Sequence, residues 1–208
     1  MKIRSGLLFI VAVLIFSSCS NQVSIHSKAI VVDTHTDTPM QLMNKGLDLG
    51  QRNSAPDSRV DYPRLREGEV DAIFFALFTS QQERNDTTYQ NAYVLANQMI
   101  DSTLASLDKN SDLAEIAYNL SDLNRISSKN KTAIYFGMEN GFPLAKDISR
   151  VKEFYDKGVR YITLCHSSHN DICDSSTDPK EPEHKGVSAF GEEVISEMNK
   201  LGMIIDVS

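Results

Sequence analysis

Basic residues are in the minority in this chain. Its 208 residues include 21 Lys and Arg against 28 Asp and Glu, a formal net charge of −7. An acidic surface excludes nucleic acid as a partner and a polybasic patch as a membrane anchor. Cysteine is scarce, with only Cys19, Cys165 and Cys173. Cys165 lies within an apolar run and reads as a small buried side chain rather than half of a disulfide. No glycine-rich turn follows the first strand-like run and no phosphate loop occurs anywhere, which disfavours a nucleotide-binding α/β fold. Repeats, interdomain linkers and long low-complexity tracts are also missing, and 41% hydrophobic content is that of a globular chain.

The longest apolar stretch, Gly6 to Phe16, follows Lys2 and Arg4 and ends in small residues before Cys19. It is too short and wrongly flanked to span a bilayer and reads as an export signal over residues 1–18. The tetrapeptide Phe16-Ser17-Ser18-Cys19 resembles a bacterial lipobox. Cys19 is therefore the expected lipidation site, anchoring an exported protein to the bacterial cell envelope without crossing the membrane. Removal of residues 1–18 takes away Lys2 and Arg4 and brings the charge to −9. A polar tether over 19–28 then leads into one domain, 29–208.

Within that domain, strand-like runs at about 29–34, 69–78, 132–138, 159–165 and 202–207 alternate with helical patterns. The helices are expected at about 60–66, 87–108, 111–127, 148–157 and 188–201. Ala92, Leu95, Ala96, Met99, Ile100, Thr103 and Leu104 step by three and four, as a buried helical stripe requires. Lys157-Gly158 reads as one helix end, Ser188 as a cap and Gly202 as a further stop. Such alternation predicts an α/β fold with a parallel sheet, either doubly wound or part of a (β/α)8 barrel.

Polar residues collect where these strands end. In VVDTHTDTP, His35 and Asp37 are two apart; on a strand they project to one side and can grip one metal ion. Asp33 has the same phase and reads as an orienter of the imidazole, while Pro39 marks a turn. Glu139 follows the third run in YFGMENGFP, and its two oxygens suit it to bridge two ions. His166 ends the fourth run in YITLCHSSHNDICDSS. His169, Asp171 and Asp174 beyond it read as solvent-facing or turn-forming, and neither His26 nor His184 is given a role.

Taken together, VVDTHTDTP, DYPRLREGEVDAIFFALF, GMENGFPL, RYITLCHSSHNDICDSS and GVSAFGEEVISEMNKLGMIIDVS resemble, in order and spacing, the membrane dipeptidases, peptidase family M19. The resemblance runs from about Lys28 to Ser208. It implies a TIM-type (β/α)8 barrel of the metal-dependent hydrolase kind and a two-zinc peptidase cutting dipeptides. It further implies that His35 and Asp37 are ligands of the first zinc, that Glu139 is the bridging carboxylate, and that His166 contacts the substrate and steadies the tetrahedral intermediate. A homodimer is a possible assembly. Ile172 departs from the pattern, standing where the family usually has tryptophan.

Only about five β/α units are legible, fewer than a complete barrel needs, and the family's remaining zinc and substrate ligands would lie beyond Ser208. The sequence is therefore expected to be part of a longer chain and inactive by itself. Two rival readings are a related binuclear amidohydrolase acting on an N-acyl amide or ester, and a non-catalytic binding lipoprotein.

Overall fold

The computed structural model describes residues 25–208. The expected export signal, residues 1–18, and the expected lipidation site, Cys19, lie outside the described residues. The chain divides into two compact units, residues 1–30 and Val31–Ser208. Of the first, only a 3-10 turn at His26–Lys28 is described as regular structure.

The larger unit is a six-stranded parallel sheet wrapped by helices. Its elements in order are β1 (Val32–Thr36), α1 (Thr38–Lys45), α2 (Tyr62–Glu67), β2 (Ala72–Phe78), α3 (Asp86–Lys109), β3 (Ala114–Ile116), α4 (Leu120–Ser127), β4 (Thr132–Glu139), α5 (Ser149–Asp156), β5 (Val159–Thr163), α6 (Ala189–Leu201) and β6 (Ile204–Asp206). The strands lie in the order β1-β2-β4-β5-β6. Short β3 shares one edge of β4 with β5: β3 pairs with Thr132 to Ile134, and β5 takes over from Phe136. The order only ever increases. A doubly wound sheet reverses direction at a switch point, whereas right-handed crossovers that always advance to the same side build a singly wound, barrel-type sheet.

β2 and β4 are almost continuously apolar and buried on both faces, as central parallel strands must be. Alternation splits their side chains. Ile73, Phe75, Leu77, Ile134, Phe136 and Met138 pack into the core shared with the helices. Ala72, Phe74, Ala133, Tyr135 and Tyr161 form a second cluster on the opposite face. The site lies on that second face.

The helix ends follow local chemistry. Asn85 caps α3 by accepting from Thr88 N, and Thr88 Oγ1 in turn accepts from Asn85 N. Ser188 caps α6, which ends at left-handed Gly202. Lys157-Gly158 closes α5, with Gly158 at φ +105°.

Three expectations change. Residues 111–127 are not one helix but β3 followed by α4; pairing with β4 overrides the helical pattern, and Asn119 starts a fresh helix by accepting from Asp122 N. Pro39 does not mark a turn but sits in the first turn of α1, where its missing N–H has no partner to lose. The first strand lies later than expected, at Val32–Thr36, and its residues Val32 to His35 are exposed. Among the described residues, no helix is long and apolar enough to cross a membrane.

Candidate metal centre

Register brings the site together. Phe78 of β2 lies opposite Glu139 of β4, Glu139 opposite Thr163 of β5, and Thr163 opposite Asp206 of β6. Glu139 is thus the last residue of a buried strand and points to the face opposite the helix-side core. Its side chain is 13% exposed.

Three predicted residues converge on it. His35 Nε2 is 3.1 Å from Glu139 Oε2, His166 Nε2 is 3.3 Å from Oε1, and Asp37 Oδ1 is 3.8 Å from His35 Nε2. One ligand atom from each of His35, Asp37 and Glu139 lies within 4.8 Å of the other two. Burial pushes the Glu139 carboxyl above the usual carboxylate range; His35 pulls it back and Asp37 adds to the rise. Oε2 is buried yet makes no hydrogen bond. A buried carboxylate oxygen beside an imidazole nitrogen, but not hydrogen-bonded to it, is costly unless both donors aim at a third atom. An N,O,O donor set of this kind fits a divalent cation such as zinc.

The imidazole of His35 is held by a residue that the sequence reading missed. Its Nδ1 shares a 2.9 Å hydrogen bond with the hydroxyl of Tyr161. Burial, and next the charge of Glu139, push the Tyr161 phenol far above its ordinary pKa, so it stays protonated. Tyr161 reaches His35 by lying across Gly137, where an added Cβ would stand 1.9 Å from the ring; only glycine leaves that room. Asp33 does not orient the ring. Its Oδ1 accepts instead from the backbone N of His35 at 3.0 Å, because the register shift between Asp33 and Thr36 breaks the two-residue phase. The ring of Phe78 meets His166 edge-on at 5.1 Å.

Beneath the cluster, two fully buried asparagines tie the strand ends together. Asn140, at φ +73°, donates to Thr79 O, and its Oδ1 accepts from Asn170 Nδ2. Asn170 also donates to Leu164 O and accepts from Ile172 N and Cys173 N. The loop after His166 is therefore packed, contrary to the expectation of solvent-facing groups. His169 is buried, accepting from Ser175 N at Nδ1 and donating from Nε2 to Lys180 O. Asp171 is buried and accepts from the Tyr89 hydroxyl at 2.6 Å. Burial would raise the Asp174 carboxyl, but backbone N–H groups of Gly186, Glu183 and His184 outweigh it and hold it at about 2. His184 donates to Asn170 O. Ile172 is 1% exposed and packs over Gly141, so it serves the core.

The family model for membrane dipeptidase (peptidase family M19) matches residues 20–208. The chain belongs to the M19 membrane dipeptidase family. Among relatives, Dipeptidase aclJ of Aspergillus oryzae is 32% identical over 154 residues, covering 72% of this chain and 36% of its own length. Dipeptidase 3 of Homo sapiens is 33% identical over 185 residues, covering 86% and 36%. This M19 chain thus spans just over a third of the length of these relatives. The crystal structure of the probable dipeptidase PvdM from Pseudomonas aeruginosa superposes with a TM-score of 0.77 at 22% identity, over 88% of this chain and 47% of that one. The shared fold makes the singly wound sheet part of a TIM-type barrel.

Proposed function

We propose that the protein is an exported, lipid-anchored zinc dipeptidase in which His35, Asp37 and Glu139 bind metal, Glu139 bridges two ions, and His166 contacts the substrate. The observation that carries this reading is the Glu139 carboxylate set between two imidazoles, with Oε2 buried and unbonded. Its two oxygens offer two ligand positions on a rigid strand end. Zinc bound there supplies Lewis acidity, acidifying water and polarising a peptide carbonyl. Tyr161 accepts the Nδ1 proton of His35 and so leaves the Nε2 lone pair free for a metal. His166, braced by Phe78, offers its Nε2–H to the oxygen that gains charge as the carbonyl is attacked. The family match begins at residue 20, just after the proposed lipidation site at Cys19.

The test is a substrate panel on the full-length, zinc-loaded protein: L,L and L,D dipeptides, an N-acyl amino acid and a simple ester. Turnover confined to dipeptides is expected. Hydrolysis of only the N-acyl compound or ester would favour the amidohydrolase reading, and metal binding without any turnover the non-catalytic one.

Tyr161→Phe is expected to lower metal affinity by about 10–100-fold, as loss of an outer partner of a ligating histidine does. The ring still fills the space over Gly137, so the melting temperature should hold. Competition against a chromophoric chelator measures the affinity, and an unchanged value would remove Tyr161 from the metal centre.

A further inference from the structure

Two thiols lie together outside the metal-ligand cluster. Cys165 is two residues past the end of β5, and Cys173 stands on the far side of the loop that begins there. The side chain of Asn170 ties the backbone at both points, donating to Leu164 O at 2.7 Å and accepting from Cys173 N at 3.0 Å. Cys173 is pinned again by its antiparallel bridge to Val187. Cys165 Sγ is 3.6 Å from the carbonyl oxygen of Asp174, the residue after Cys173. The two thiols line one cavity of about 240 Å³. Each is a free cysteine in this structure.

We propose that Cys165 and Cys173 form a reversible dithiol–disulfide site whose reagent is a small-molecule disulfide such as oxidised glutathione. The pair is unequal. The neighbouring Cys173 thiol draws the Cys165 thiol down to about 7, while Cys165 and burial push Cys173 far up. Cys165 is therefore the attacking thiolate and Cys173 the resolving thiol. In the first step the Cys165 thiolate bonds to one sulfur of the small disulfide, the S–S bond breaks, and one thiolate leaves. That thiolate takes the Cys173 proton. Cys173 then attacks the Cys165 sulfur, breaking the mixed disulfide and releasing the second small thiolate, which takes up the proton lost by Cys165. The two cysteines are oxidised to a cystine, and one small disulfide is reduced to two thiols. Asn170 holds the backbone on both sides of the pair, next to the loop that carries His166.

The test treats the full chain with glutathione buffers of increasing oxidised fraction, quenches with an alkylating agent, and maps the peptides by mass spectrometry. The expected result is loss of both loop thiols together, one linked Cys165–Cys173 peptide, and full recovery on reduction. Cys173→Ser should instead retain a stable glutathione adduct on Cys165, whereas Cys165→Ser should leave Cys173 unmodified. The wild-type map decides the matter even if a variant fails to fold. A lasting glutathione adduct on wild-type Cys165, linkage of either residue to Cys19, or two unreacted thiols in the most oxidising buffer would each overturn the proposal.

Discussion

Glu139→Gln is expected to lower metal affinity by more than the roughly 10–100-fold that loss of an outer partner costs, and to take all hydrolysis with it. Glutamine keeps the shape but removes the charge and one of the two oxygens. The metal-free protein should melt no lower than the parent, because the carboxylate is buried, its pKa is raised by that burial, and Oε2 makes no hydrogen bond. A charge of that kind weakens the metal-free fold rather than supporting it. Isothermal titration with zinc and thermal melts in chelator read the two halves. Retained affinity would exclude Glu139 as a ligand, and a large drop in the chelated melting temperature would show a structural carboxylate instead.

Asn170→Ala is expected to destabilise the fold by about 3–5 kcal/mol. The substitution strips hydrogen bonds from Asn140 Oδ1, Leu164 O, Ile172 N and Cys173 N, all on buried residues. Each such group costs about 1–3 kcal/mol when left unpaired, and partial relaxation keeps the sum below the simple total. Urea unfolding measures the change. A loss under about 1 kcal/mol would mean that water enters the loop and replaces the amide.

The contrast between these two residues shows what the sequence made legible. His35, Asp37, Glu139 and His166 could be picked out because polar groups at the ends of apolar runs are conspicuous, and the fold does bring them within reach of one carboxylate. Asn170 was not conspicuous. It lies in a stretch rich in Ser, Asp and His whose composition is that of an exposed loop, and two of its partners, Leu164 and Asn140, lie 6 and 30 residues away. Tyr161 is hidden for a related reason: within an apolar strand an aromatic ring reads as core, and only the empty space above Gly137 shows that it crosses to β1. The period of two from Tyr161 through Thr163 was the one available hint of its face. Asp33 was misassigned because strand phase holds only while the ladder is regular, and β1 shifts register between Asp33 and Thr36. Alternation also revealed strands and helices but not their spatial order, which pairing alone determines.

The ladder between β2 and β4 runs without a break from Ala72↔Ala133 to Phe78↔Glu139. A slip of one residue would turn Glu139 toward Phe75 and Leu77 and send Met138 to the opposite face. A chain with a misplaced carboxylate would then also have an acid in its oily layer and a methionine facing the histidines. The same apolar packing that makes the sheet cohere therefore proofreads the chemistry, so that a molecule able to fold has already placed its acid among its histidines.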